Sequence, residues 1–107
     1  ATDVDGTLVV TATTDGDARA LALAVRERLP ATRPGVVVVG SPAGERATLV
    51  AAVNGAARSA GRDASALVKR LLDGRGGGSP ELAQGGGIPS DRLPGTLDSV
   101  PALLFRA

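Results

Sequence analysis

Basic side chains are concentrated in one stretch in the second half of the chain. Five cations fall within eighteen residues: Arg58, Arg62, Lys69, Arg70 and Arg75. Asp63 and Asp73 are the counter-charges in that stretch. Such cations can bind the phosphates of a nucleic acid, which positions the polymer without reading its sequence. The same residues could instead form the solvated face of a helix, so the cluster alone leaves both interpretations open.

Two glycine triplets, at residues 76–78 and 85–87, follow this basic cluster. Glycine lets the backbone adopt a positive φ and brings its N–H groups close to another surface. We therefore predict a glycine-rich loop whose backbone meets either a phosphate or a neighbouring strand; a flexible linker is the plainer alternative. No Lys-Ser or Lys-Thr follows the glycines, and Ser79 stands where G-x-G-x-x-G needs its third glycine, so neither common nucleotide-binding motif is present.

The composition excludes several kinds of chemistry. The 107 residues contain no Cys, His, Met, Trp or Tyr, and Phe105 is the one aromatic residue. Disulfides, Cys/His zinc sites, a Cys nucleophile and a His-dependent catalytic triad are therefore excluded. The net charge is +1, so affinity for a nucleic acid would have to come from a local patch rather than from bulk charge.

A second candidate for chemistry lies near the start of the chain. Residues 3–7 read D-V-D-G-T, which resembles the D-x-D-G-T signature of haloacid-dehalogenase-type phosphatases. The resemblance implies that Asp3 is a nucleophile and Asp5 a general acid/base, and that the two hold magnesium. These roles suit phosphoryl transfer. The apolar run follows the motif instead of preceding it, so a polar turn leading into the first strand is the competing interpretation.

The elements that would position these residues are predicted in the order strand, helix, hairpin, helix. Residues 8–11 are apolar and β-branched, which is typical of a strand. An N-cap within residues 15–17 begins a helix whose apolar residues recur at spacings of three and four as far as Leu29, and Pro30 ends it. The four valines at 36–39 predict a strand covered on both faces, and residues 47–53 predict the strand that returns beside it.

The second half of the chain predicts two further helices. Asp63 can cap a helix with apolar residues from Leu67 to Leu72, and Gly74 can end it. Residues 54–61 fit either a helical turn or a loop. Near the end of the chain, apolar residues that recur every three or four positions predict a short helix that closes over the sheet: Leu93, Leu97, Val100 and Leu104. The expected fold class is α/β (α+β), a small mixed sheet with helices packed against it.

The glycine-rich segment carries a more specific resemblance. Residues 76–87 read G-G-G-S-P-E-L-A-Q-G-G-G, which resembles the G-G-G-x-P-[DE]-[LM]-A-Q-[AG]-G-G segment near the C-terminus of alanyl-tRNA synthetases. Residues 64–70 are similar to the helix that leads into it. This module is shared with DHH-family phosphoesterases, where it is called the DHH-associated domain. The resemblance implies that residues 1–107 form a single C-terminal domain of this type, excised from a longer synthetase.

The resemblance also implies a function, that of a non-catalytic tRNA-binding domain of a bacterial alanine–tRNA ligase. Such a domain holds the outer corner of tRNA and links aminoacylation to editing. The implied partners are alanine tRNA and the aminoacylation and editing domains of the parent, and a homodimeric assembly module is the alternative. We expect no cofactor in this chain, because ATP, magnesium and zinc would belong to other domains. The expected tRNA-binding residues are Arg58, Arg62, Lys69, Arg70, Arg75, Gly76, Gly77, Gly78, Ser79, Gln84, Gly85, Gly86 and Gly87.

The sequence also predicts a location. The valine run at 36–39 is the longest strongly apolar run and is far shorter than the roughly 20 residues of a membrane-spanning helix. The first residues lack the charged and then apolar pattern of a signal peptide. We therefore expect a cytoplasmic protein with no membrane partner.

Overall fold

Six strands form one mixed sheet in the computed structural model, which describes residues 2–4, 6–30, 32–72, 74 and 76–100. The strands are β1 (Thr2–Val4), β2 (Thr7–Thr13), β3 (Gly35–Ala43), β4 (Arg46–Val53), β5 (Gly77–Gly78) and β6 (Leu82–Pro89). Their order across the sheet is β1-β2-β3-β4-β6-β5. β2 and β3 are parallel, and every other neighbouring pair is antiparallel.

Helices cover both faces of this sheet. They are α1 (Ala18–Arg28), α2 (Gly55–Ser59), α3 (Ala64–Leu71) and α4 (Leu93–Asp98), the last preceded by a 3-10 turn at Ser90–Arg92. α1 connects the parallel strands β2 and β3 and packs against β3 and β4 on one face. α2, α3 and α4 share the core on the opposite face. The predicted mixed α/β class is therefore confirmed, as three layers.

Strand β3, in the interior of the sheet, contributes side chains to two separate hydrophobic cores. Val36 and Val38 join the larger cluster beneath α2, α3 and α4, whereas Val37 and Val39 join the smaller cluster beneath α1. All four side chains are fully buried. This confirms the strand with two covered faces, because successive side chains of a strand point to opposite sides of the sheet.

The predicted helix boundaries rest on observed caps. Asp17 accepts a hydrogen bond from the Ala20 amide at 3.1 Å and begins α1, and Asp63 accepts one from Ala66 at 3.0 Å and begins α3. Within residues 54–61, which the sequence left open, Gly55–Ser59 form α2, and Asn54 caps that helix. Gly74 follows α3 with a φ of 90°, as predicted for a terminating glycine.

The glycine-rich segment is a β-hairpin at the edge of the sheet and not a loop, and its backbone meets neighbouring strands, which was one of the two predicted alternatives. Gly77 and Gly78 form β5 and pair with Gln84 and Ala83 of β6. The second triplet lies inside β6, beside β4. The register shifts between Ala47 and Thr48, so Gly87 is an extra, bulged residue with a φ of 93°.

Two details at the ends of the chain differ from the sequence predictions or extend beyond them. Residues 2–4 form a strand, β1, and not only a polar turn before the first strand. At the other end α4 closes over the sheet as predicted, with Leu93, Leu97 and Val100 buried. Leu104 and Phe105 lie outside the described residues.

Within the described ranges, no helix has the length and apolar character needed to cross a membrane.

Candidate nucleic-acid interface

The glycine hairpin lies directly against helix α3. The Ala64 amide, at the start of the helix, donates a hydrogen bond to the Pro80 carbonyl oxygen at 2.7 Å. At the other end of the helix, Val68 and Leu72 pack on the backbone of Gly76 and Gly85. The helix therefore runs along the hairpin from its turn to the start of β5.

Packing explains why these positions are glycine. A Cβ atom on Gly85 would lie 2.5 Å from Leu72 Cδ1 and 2.9 Å from Gly76 Cα. A Cβ atom on Gly76 would lie 2.7 Å from Val68 Cγ1 and 3.0 Å from the Gln84 carbonyl oxygen. Side chains here would push α3 away from the sheet. Glycine at residues 76 and 85 thus allows α3 to contact the hairpin.

The structure brings part of the predicted basic cluster to this hairpin. Lys69 and Arg70 are exposed in the last turn of α3, where cations also interact favourably with the helix dipole. Lys69 Cε lies 3.9 Å from the position that a Cβ atom on Gly77 would occupy, so the lysine side chain reaches the edge strand β5. Among the described residues, Lys69 is therefore a predicted cation that lies beside the glycine backbone.

The other predicted cations lie elsewhere or outside the described residues. Arg58 is exposed on α2, and Arg62 is partly buried between α2 and α3. Both precede Ala64, whose amide contacts the turn of the hairpin, so they lie toward the opposite end of α3 from Lys69. Arg75 falls outside the described residues.

Ser79 stabilises the turn between β5 and β6 through hydrogen bonds. Its amide and its hydroxyl both donate to the Leu82 carbonyl oxygen, at 2.9 and 3.2 Å, and the hydroxyl accepts from the Leu82 amide at 3.1 Å. These contacts close the hairpin turn. They occupy the serine hydroxyl with the protein's own backbone.

The hairpin divides the predicted residues between two faces of the sheet. Ala83 and Gly85 face α3, whereas Leu82, Gln84 and Gly86 face the side of α1. On that second side Gln84 and Arg19 line the same shallow groove as Gly77 and Gly78. Gln84 and Lys69 are therefore on opposite sides of one glycine hairpin.

Two arginines missed by the sequence analysis adjoin this segment. Arg19 lies in the first turn of α1, beside Gln84. Arg46 Nη1 donates to the carbonyl oxygen of the bulged Gly87 at 2.7 Å. Neither contact leaves a local sequence signal, because each depends on where β6 lies in the sheet. The seven-residue spacing of Arg19 and Arg26 does indicate that these two share a face of α1.

Relatives of this chain fall in one family. The chain is 55% identical over 84 residues to the alanine–tRNA ligase of Salinispora tropica, a match to 78% of the chain. It is 42% identical over 112 residues to the alanine–tRNA ligase of Frankia alni, which covers 97% of the chain. Among solved structures, the C-Ala domain of Aquifex aeolicus alanyl-tRNA synthetase matches with a TM-score of 0.73 and 25% identity, over 92% of this chain and 90% of that one. The chain belongs to the alanyl-tRNA synthetase family.

The match concerns a small part of the synthetase. The chain spans only 9% and 12% of the length of the two ligases. Its fold is that of the C-Ala domain. No protein-family model matches the chain. The further label of a DHH-associated domain stays a prediction.

The D-V-D-G-T segment has a structural role in this member of the synthetase family. Asp3 lies on the edge strand β1, not after a buried strand, and Asp5 is outside the described residues. One Asp3 oxygen accepts from the Gly6 amide at 2.9 Å and the other accepts from Arg33 Nη2. These two bonds, the one from Arg33 above all, lower the pKa of the Asp3 carboxyl. The phosphatase alternative therefore loses its structural context, since Asp3 holds the β1–β2 turn.

No metal site emerges in the part of the chain that the structure describes. Within those residues no group of three or more acidic, His or Cys side chains is arranged to hold an ion. The candidate binding groups among the described residues are therefore the exposed cations Lys69, Arg70 and Arg19.

Proposed function

We propose that this chain is the tRNA-binding, non-catalytic C-terminal domain of a cytoplasmic alanine–tRNA ligase. It holds the outer corner of alanine tRNA and links aminoacylation to editing. ATP, magnesium and zinc belong to the other domains of the parent. The observation that carries the proposal is the placement of Lys69, at the exposed end of α3, over the glycine edge strand β5.

This placement suits a ribose–phosphate backbone. The Lys69 side chain has no hydrogen bond or ion pair with another described residue, so its ammonium group is available to a phosphate. Arg70 is exposed in the same helical turn. β5 carries no side chains, so a polyanion can approach the sheet edge closely beside these cations. Contacts of this kind hold RNA by its shape and phosphates and not by its base sequence.

The test is tRNA binding at two salt concentrations. The 107-residue chain is titrated with alanine tRNA at about 50 and 200 mM salt, a range over which phosphate-driven affinity falls steeply. We expect salt-sensitive binding that prefers folded tRNA to an RNA duplex of equal length. Absence of binding at the lower salt concentration would overturn the proposal.

Variants separate a specific site from general charge. Lys69→Ala is expected to weaken binding and to reduce the salt slope by about one, because it removes one phosphate contact. Arg92→Ala is the matched control, since Arg92 is exposed on the 3-10 turn before α4, outside the basic cluster. Equal losses in the two variants would show that net charge, and not this site, drives binding.

A homodimeric assembly module is the competing function, because the outer edge of β5 has no strand partner among the described residues. Light scattering at several protein concentrations distinguishes the two. A stable dimer that is indifferent to tRNA would favour assembly over RNA binding.

A further inference from the structure

We propose that Arg19 of α1 and Gln84 of β6 form a second RNA-backbone contact, on the face of the glycine hairpin opposite Lys69. The RNA is then held across the β5 edge from both sides of the sheet. This inference rests on the proposed tRNA-binding function and adds Arg19, which lies outside both the glycine motif and the basic cluster.

The first support is an uncovered part of the sheet. α1 packs on β3 and β4, and Leu82 at the start of β6 packs against the same cluster; among the described residues no helix covers β5 or the rest of β6 on this face. The exposed floor is a shallow groove lined by Arg19, Gly77, Gly78, Leu82, Ala83 and Gln84. Both polar side chains of the groove, Arg19 and Gln84, are exposed to solvent.

The second support is the charge of the groove. Its lining includes one cation and no carboxylate. The Arg19 side chain makes no hydrogen bond or ion pair to another described residue, so its guanidinium can bind a phosphate in bidentate geometry. Asp17 lines the adjoining part of the groove, but its carboxylate caps α1 through the Ala20 amide.

The third support is the kind of hydrogen-bonding groups nearby. The adjoining part of the groove includes Ser41 and Thr48 as well as Gln84. Hydroxyl and amide side chains are common partners of phosphate and sugar oxygens, and the ribose 2′-hydroxyl both donates and accepts hydrogen bonds. This combination of one arginine with neutral polar groups fits a ribose–phosphate backbone better than an acidic protein surface.

Gly77 lies next to both proposed RNA contacts, one on each face of the hairpin. It lines the Arg19 groove, and Lys69 Cε approaches within 3.9 Å of the position of its absent Cβ atom. The edge between the two cations is one strand wide and has no side chains. A single RNA segment that passes over this edge can therefore meet Lys69 on one side and Arg19 on the other.

Single-cysteine probes give the most direct test, because the chain has no cysteine of its own. An iron chelate that generates hydroxyl radicals is attached to Arg19→Cys, Lys69→Cys or Arg92→Cys, and each labelled protein is bound to alanine tRNA. We expect cleavage of neighbouring nucleotides from positions 19 and 69 and none from position 92. Cleavage from 69 without cleavage from 19 would overturn this inference and leave the proposed function standing.

Affinity measurements provide the second arm. Arg19→Ala is expected to reduce the salt slope by about one, as Lys69→Ala does, and Gln84→Ala to weaken binding by a smaller factor. The control is Arg28→Ala, an exposed arginine on the same helix. It is nine residues from Arg19, about two and a half turns, and so lies on the opposite side of α1. Equal losses for Arg19→Ala and Arg28→Ala would contradict the site. If neither Arg19→Ala nor Lys69→Ala weakens tRNA binding, both this inference and the proposed location of the tRNA site are rejected.

Discussion

Leu72, just beyond the end of α3, packs against the bare backbone of Gly85 in β6. The contact is so close that a Cβ atom on Gly85 would lie 2.5 Å from Leu72 Cδ1. Leu72 is almost fully buried, so its side chain has no open space to move into. Helix α3 can therefore lie this close to the glycine hairpin only because residue 85 has no Cβ atom.

Gly85→Ala should therefore destabilise the fold, whereas the neighbouring Gly86→Ala should not. The new methyl group of the first variant also meets Gly76 Cα at 2.9 Å, and overpacking of this kind costs about 1–3 kcal/mol. A Cβ atom on Gly86 would make ordinary contact, 3.5 Å from Thr48 Oγ1. Urea unfolding followed by far-UV circular dichroism measures both. Equal stability of the two variants would contradict the packing argument.

Asn54 predicts a second stability difference. Its side-chain oxygen accepts from the Gly35 and Ala57 amides at 3.0 and 2.8 Å, and its Nδ2 donates to the Arg33 carbonyl oxygen at 2.8 Å. One side chain thus caps α2 and joins it to the start of β3. Asn54→Ala should cost about 2–4 kcal/mol in the free energy of unfolding, since a cap is lost and partly buried backbone groups lose partners.

Asp17→Ala is the matched comparison for Asn54, because Asp17 caps α1 through a single hydrogen bond. It should cost about 1 kcal/mol. Asn54→Asp should fall between, as it keeps the accepted bonds and loses the donated ones. If Asn54→Ala lowers the free energy of unfolding no more than Asp17→Ala does, Asn54 contributes to stability only as a helix cap.

Asp3 predicts a small, pH-dependent contribution to stability. Its pKa is lowered in the folded protein, first by the hydrogen bond from Arg33 and then by that from Gly6. The folded state therefore favours the charged carboxylate, and the contribution is fully present above the unfolded pKa of about 3.9. It is lost as the pH falls through the lowered, folded value. Both side chains of the ion pair are about half exposed, so the effect is modest and weakened by salt.

The measurement compares the wild-type chain with Asp3→Asn from pH 2 to pH 6 by urea unfolding. The difference in stability should be constant above about pH 5 and should disappear at the acidic end. Arg33→Ala should remove most of the same pH dependence. A difference that persists unchanged at pH 2 would mean that Asp3 acts through something other than its charge.

Charge at residue 69 provides a prediction for RNA binding. Lys69→Arg should retain affinity for tRNA, and Lys69→Glu should lose more than Lys69→Ala, because a carboxylate repels the phosphates as well as failing to bind them. Titrations at about 50 mM salt show the order most clearly, since charge is screened least there. Indistinguishable affinities for the three variants would place residue 69 outside the RNA contact.

Local patterns predicted much of this structure. The caps Asp17 and Asp63, the doubly covered valine strand and the buried Leu93 and Leu97 follow from residue type and spacing, because they depend on neighbours within a few turns. The resemblance over residues 76–87 indicated the family from the same local information. In each case the sequence signal is contained in a short segment, although the contacts that bury the valines and the leucines are distant in sequence.

The rest depended on contacts distant in sequence. Nothing local distinguishes a glycine loop from a glycine strand, since β5 and β6 acquire their form from β4 and from Leu72 of α3. The division of Lys69 and Gln84 between two faces requires the register of β6. Arg19 adjoins Gln84 although 65 residues separate them, and only the strand order brings them together.

The outer strands of the sheet are unusually short, with three residues in β1 and two in β5. An edge strand is a template on which further chains can add, and a short edge offers few free backbone groups for that purpose. The valines at 36–39, an uncharged β-branched run of the kind found in amyloid, lie in β3 between β2 and β4 and are fully buried. The same topology that places the short strands β1 and β5 at the edges of the sheet therefore also protects the folded chain from aggregation.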